Sequence, residues 1–188
     1  MKSSLIPAVR LTIVLILLLS GVYNLVIFGI AQIAPNHGKG EIVMYNGKVY
    51  YSNIGQSFTE DKYFWSRPSA VNYNAAGSGG SNMSPFNKDY LKTVQARIDT
   101  FLVHDPGIKK QDIPVGLVTA SGSGLDPDLS PAGALIQVPR IARVRHLPEN
   151  QVRALVHANI QRPLFGLFGP AKVNVLKLNI ALDKLSLK

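Results

Sequence analysis

The first feature of the chain is an apolar run, LTIVLILLLSGVYNLVIFGIAQIAPN, that follows Arg10 and carries no charge up to Asn36. As a helix, Leu11 to Ala34 would span roughly 36 Å, enough to cross a bilayer core with some tilt. Tyr23, Asn24 and Gln32 are its strongly polar interruptions. They suit a partner helix or, for Gln32, the headgroup level. A cleaved signal peptide ending near Gly29-Ile30-Ala31 is the rival, but signal cores run about 7–15 residues and this run is longer. The pattern therefore predicts a retained anchor over 11–34.

Beyond the anchor the periodicity changes repeatedly. EIVMYNGKVYYSNIGQ places two β-rich runs around Asn46-Gly47, the dipeptide that supplies the positive φ angles of a two-residue turn, so a hairpin is predicted over about 41–53. Phe64-Trp65 should be buried, and Pro68 ends any regular element there. NAAGSGGSNMSP, residues 74–85, reads as a solvated flexible loop. Asn87 can cap a helix that Pro106-Gly107 stops, with Tyr90, Leu91, Val94, Ile98, Phe101 and Leu102 on one face and Lys92 and Arg97 facing out. IPVGLVTA, residues 113–120, is a buried-strand candidate. Ser130-Pro131 starts a second helix, Pro139 breaks or kinks it, PRIARVRHL continues it, and PENQVRALVHANI forms another. LFGLFGP is an apolar turn, and VNVLKLNIALD alternates as a last strand. The expected fold class is α+β, with a single N-terminal transmembrane helix (11–34) between a cytoplasmic tail (1–10) and one extracytoplasmic domain (35–188).

Charge bears on orientation. The chain of 188 residues has 20 Lys and Arg against 11 Asp and Glu, a formal charge of +9. Lys2, Arg10 and the amino terminus favour a cytoplasmic N-terminus, which puts the remainder outside the cytoplasm. A basic external domain fits anionic lipid headgroups or an acidic partner rather than nucleic acid. Arg140, Arg143, Arg145 and Arg153 fall along two short helices, with Arg140 and Arg143 three apart on one face. They are either a solvated face or a partner contact. Aromatic residues do not interleave with them, which disfavours single-stranded nucleic acid. With no cysteine there is no disulfide, thiol chemistry or cysteine metal site.

The stretch VTASGSGLDPDLSP, Val118 to Pro131, is the densest candidate for chemistry. No Gly-x4-Gly-Lys-Ser/Thr loop is present; Gly47-Lys48 is followed by Val49. Backbone amides of Ser121, Gly122, Ser123 and Gly124 could form a small anion nest, although turn chemistry favours a tight connection. Ser123 lacks the Gly-x-Ser-x-Gly elbow, and His37, His104, His146 and His157 show no pairing to it, so a membrane-anchored serine hydrolase through Ser121 or Ser123 is a weak alternative. Asp126-Pro127-Asp128 lacks the further ligands of a calcium loop; Asp128 and Ser130 read as caps of the next helix. An anionic-lipid-binding module is the third alternative.

One anchor followed in order by FWSRPSA, YNAAGSGGSN, VTASGSGLDPDLSP, QVPRIARVR, QVRALV and VNVLKLN resembles the C subunits of Kdp-type potassium-transporting ATPases (KdpC) over nearly the whole chain. The resemblance implies an accessory role in an ATP-driven potassium uptake complex of the bacterial cell membrane. Its partners would be a channel-like potassium-binding subunit and a P-type ATPase subunit, besides membrane lipids. The chain carries neither the Asp-Lys-Thr-Gly-Thr motif nor the Thr-Val-Gly-Tyr-Gly filter that those two subunits would have. Family members are described as assembly factors and as catalytic chaperones that raise the pump's ATP affinity. Taken literally, that role makes Ser121, Gly122, Ser123, Gly124 and Gln137 nucleotide contacts, with ATP held in a ternary complex with the pump subunit. An external domain never meets cytoplasmic ATP, however. The charge reading then makes the stretch a turn or docking surface, and any effect on ATP indirect.

Overall fold

The computed structural model describes the backbone of residues 2–186 and the side chains of residues 4–186. Residue 1 and residues 187–188, the outer ends of the segments expected from sequence, lie outside the described residues, as does the side chain of Lys2. The chain divides into two compact units, one reaching Tyr51 and one from Ser52 onward.

In the first unit, α1 (Lys2–Ile16), a π-helical turn (Leu17–Val22) and α2 (Tyr23–Ile33) run on as one helix. Ser4–Ile33 is long and apolar enough to cross a membrane. Its large side chains, Leu11 and Leu25 among them, are exposed as a lipid-facing helix requires. From the start of α2, Asn24 donates back to the Ser20 carbonyl in the wide turn at 2.8 Å, so its amide has a partner inside the helix. The hairpin follows as β1 (Ile42–Tyr45) and β2 (Lys48–Tyr51), paired antiparallel with Tyr45 opposite Lys48. Asn46 and Gly47 carry φ of 48° and 72°, the geometry their side chains tolerate best.

The second unit is α+β. Asn87 caps α3 (Lys88–His104) by accepting from the amides of Asp89 and Tyr90. The chain leaves this helix at Asp105, just before Pro106. Phe101 is buried and Val94, Ile98 and Leu102 pack against the core. Leu91, expected on that face, is half exposed, and Arg97, expected outward, donates to the Val118 carbonyl. Ser130 caps α4 (Pro131–Leu135) by accepting from Gly133. The helix breaks at Ile136-Gln137 and restarts as α5 (Val138–Arg145), where Pro139 occupies the first turn and needs no N–H partner. After Pro148 comes α6 (Glu149–Ala158). Three short strands, β3 (Asp128–Leu129), β4 (Ile160–Gln161) and β5 (Lys172–Asn174), form an antiparallel sheet in the order β3-β5-β4.

Three local expectations are corrected. VNVLKLNIALD is a strand only through Asn174 and then becomes α7 (Val175–Ser186). Val175, Leu178 and Leu182, spaced for a helix, are the ones that fill the core. IPVGLVTA forms a 3-10 turn at Val115–Leu117 instead of a strand, because Pro114 lacks an amide and Gly116 weakens extended pairing. Asp128 is a strand residue whose carboxylate accepts from Lys172 at 2.6 Å, leaving the cap to Ser130 alone. The core itself joins Phe64, Phe101, Leu117, Leu129, Ile141, Val152, Val156 and Val173 to the inner face of α7.

Candidate functional site

The stretch from Ser121 to Asp128 is a joint where four parts of the second unit meet. Ser121 is buried; its amide donates to the Pro68 carbonyl at 3.1 Å and its Oγ accepts from the Gly124 amide at 2.9 Å. The Ser123 carbonyl accepts from the Gly79 amide at 2.8 Å and from Ser78 Oγ at 2.9 Å. The 74–85 loop, expected to be simply solvated, is therefore tied down at its centre. Leu125 receives the Gly55 amide at 2.7 Å, and Val175 donates to Pro127 at 2.9 Å. Arg67 pairs with Asp126 at 2.7 Å.

Gly124 is needed at this joint for two reasons. Its φ is +68°, and a Cβ there would lie 2.5 Å from Val71 and 2.7 Å from the Gly79 carbonyl. Gly122 and Ser123 are exposed, and the Ser123 hydroxyl accepts from the Leu125 amide. Of the four amides expected to face an anion, those of Ser121 and Gly124 are hydrogen-bonded within the fold. Among the described residues no hydrogen bond joins a histidine to Ser121 or Ser123, and no group of three or more His, Asp or Glu is placed to hold a metal ion.

Gln137, fully buried, lies at a different place, the break between α4 and α5. Its Oε1 accepts from the Trp65 amide at 2.8 Å and its Nε2 donates to the Gly133 carbonyl at 2.9 Å. The same Oε1 accepts from Arg140 at 2.7 Å.

Arg140 overturns the basic-face expectation. Its side chain is completely buried and meets Asp105, itself 3% exposed, through Nε at 2.9 Å. Nη1 donates to the carbonyls of Asp61 and Tyr63 at 2.6 and 3.1 Å, and the guanidinium lies 4.4 Å from the centre of the Trp65 ring. A planar fork with five donors suits this array; an ammonium would not. Arg143 donates to the His104 carbonyl at 3.1 Å, Arg145 turns to Asp183 at 2.6 Å and Arg153 to Glu149 one turn back, so Arg140 is withdrawn from any basic face. Sequence reasoning missed this centre because Asp105 lies 35 residues before Arg140. The nearest signal was Trp65 with two aspartates close in sequence to buried elements.

Burial dominates the electrostatics here. It raises the Asp105 carboxyl above its ordinary 3.8 despite the opposing pull of Arg140, and lowers the Arg140 guanidinium despite Asp105. A carboxyl raised in the fold contributes stability that is present below its unfolded value and lost as pH rises through its folded value. The Asp105→Asn variant, which does not titrate, should therefore gain on the wild type as pH rises above the ordinary carboxyl value of 3.8 and through the raised folded one. Thermal unfolding of both across that range reads this out; a gap that stays constant would contradict it.

The K+-transporting ATPase, c chain family model matches residues 5–184. A potassium-transporting ATPase KdpC subunit of Flavobacterium psychrophilum is 58% identical over 177 residues, covering 94% of this chain and 95% of the relative. The KdpC subunit of Bacteroides fragilis is 49% identical, covering 97% of both chains. That of Caldanaerobacter subterraneus subsp. tengcongensis is 46% identical, covering 93% and 91%.

Proposed function

Because the chain belongs to the KdpC family, the c chains of K+-transporting ATPases, we propose that it is the membrane-anchored, non-catalytic accessory subunit that stabilises the assembled pump and raises the ATP affinity of its ATPase subunit. The match spans the apolar helix as well as the second unit, and this single observation carries the reading: the role attaches to anchor and domain together. The anchor packs beside the channel-like subunit, and the domain lies outside the cytoplasm, as Lys2 and Arg10 favour.

Any influence on ATP then runs through conformation. A bound subunit shifts the pump's equilibrium by the difference in its affinity for two pump states, and needs no nucleotide contact to do so. The hydrogen bonds of Gln137 and of the Ser121 hydroxyl, all made within the fold, support a structural role for both. Ser123, exposed at the surface of the joint, is the natural probe of orientation.

The test is the pump expressed with and without this chain. Without it, the other subunits should separate in detergent, and any residual pump should need several-fold more ATP for half-maximal turnover. Intact assembly with unchanged ATP dependence would sink the proposal. In a chain without cysteine, Ser123→Cys labelled in intact cells by an impermeant thiol reagent supports the external placement. Labelling only after lysis would return ATP contact at Ser121–Gly124 to the front.

A further inference from the structure

Between β4 and β5 the chain projects an apolar tip. Leu164, Phe165, Leu167 and Phe168 are 64%, 84%, 81% and 66% exposed. Leu164 and Phe168 bridge antiparallel, and the turn between them has φ of 53° at Phe165 and 74° at Gly166. These two φ values are close to those of Asn46-Gly47 in the β1–β2 hairpin, 48° and 72°, although the tip loop is one residue longer. There the first position holds asparagine, which tolerates the left-handed region and hydrates well. At the tip it holds phenylalanine, which does neither. A turn serving only to reverse the chain in water would be better built with asparagine.

We propose that this tip enters the surface of the lipid bilayer in which the chain is anchored, with Phe165 and Leu167 at its deepest point and Arg162 at the level of anionic headgroups. The proposal rests on the membrane-anchored reading above. Three observations favour lipid over a protein groove. The tip satisfies much of its own backbone: Leu164 donates to Phe168, Phe168 and Leu167 donate to Leu164, and Gly166 donates to Pro163. Few polar groups would need partners in hydrocarbon. Its exposed apolar surface is on the order of 500 Å², short of the roughly 800 Å² per partner that a stable protein interface buries, but sufficient for a chain already held at the membrane. Finally, only residues 34–51 separate α2 from the second unit, a tether of at most about 60 Å that already includes a hairpin. The bilayer thus meets the tip at high effective concentration.

The experiment uses the full chain in vesicles of phosphatidylcholine and phosphatidylglycerol. Leu167→Cys carries an environment-sensitive fluorophore, and Met83→Cys, exposed on the 74–85 loop, is the control. Nitroxides on the acyl chains should quench the Leu167 probe about threefold more than the Met83 probe, while aqueous iodide does the reverse. Adding Phe165→Asn, which the turn geometry accommodates, should abolish the difference without lowering thermal stability. Equal iodide quenching at both positions would overturn the proposal. So would protection from both quenchers that appears only when the other pump subunits are present, which would assign the tip to a subunit interface. Co-purification with the pump, measured on the Leu167→Cys chain with Phe165 intact, separates the two readings. Lost lipid quenching with retained co-purification removes the tip proposal alone; the converse removes the accessory-subunit reading.

Discussion

Replacing Arg140 by methionine is expected to destabilise the second unit by about 3–5 kcal/mol. The change removes the cation that faces Asp105 and strips donors from the carbonyls of Asp61 and Tyr63 and from Gln137 Oε1. The part-buried carbonyls of Asp61 and Tyr63 lose this donor, whereas Gln137 Oε1 keeps the Trp65 amide, and an unsatisfied buried group costs about 1–3 kcal/mol. Against a net stability of about 5–15 kcal/mol, this one side chain decides whether the domain is folded at growth temperature. Trp65, the single tryptophan, lies against the guanidinium and reports the loss directly by fluorescence in a urea titration. Arg140→Lys should recover little, since one ammonium cannot reach the spread of acceptors that the fork spans. The double variant Arg140→Met with Asp105→Leu should recover only part, because the ion pair is removed cleanly but the carbonyls stay unpaired. Full stability in Arg140→Met would show that the array is dispensable.

The second large effect is expected at Gly124→Ala. An alanine there adopts a left-handed φ at about 1–2 kcal/mol and pushes its methyl into Val71 and the Gly79 carbonyl, which adds about 1–3 kcal/mol of overpacking. The damage spreads, because the Gly79 amide is one of two donors holding the 74–85 loop on Ser123. Limited proteolysis should cut that loop in the variant several-fold faster than in the wild type. Gly122→Ala provides the contrast: nothing lies within 4 Å of a Cβ at Gly122, so it should behave almost as wild type. If both variants resist proteolysis equally, the joint is not held by packing at Gly124.

The hairpin and α3 were legible because their signals are local. Asn46-Gly47 sets a turn by its own φ angles, and Asn87 caps with its own side chain over the next three residues. The break between α4 and α5 was legible for the same reason, through Ser130, Pro131 and Pro139. α7 was not. Its apolar residues occur both at alternate positions and at helical spacing, and only burial of Val175, Leu178 and Leu182 together decides between them. Asn179 within it looked like the polar member of an alternation; its amide in fact clamps both backbone groups of Phe64, 115 residues earlier. Arg140 was read with its neighbours Arg143 and Arg145 because sequence exposes only neighbours. Its true partners come from residues 61, 63 and 105 and from one turn before it. At the serine-glycine stretch the composition correctly marked a tight connection, while the four segments it joins were invisible until they were folded together.

The sheet order β3-β5-β4 has a consequence for how the domain is made. The central strand is the last of the three to be synthesised, and the helix that plugs the core follows it directly. While residues before 172 emerge from the ribosome, neither β3 nor β4 has its pairing partner, and Phe64 lacks the amide of Asn179. The domain therefore cannot complete its core during synthesis. It stays an open chain and closes in one late step, when the segment after Lys172 arrives. Quality control would thus see a vulnerable, unfolded domain until β5 and α7 are both complete.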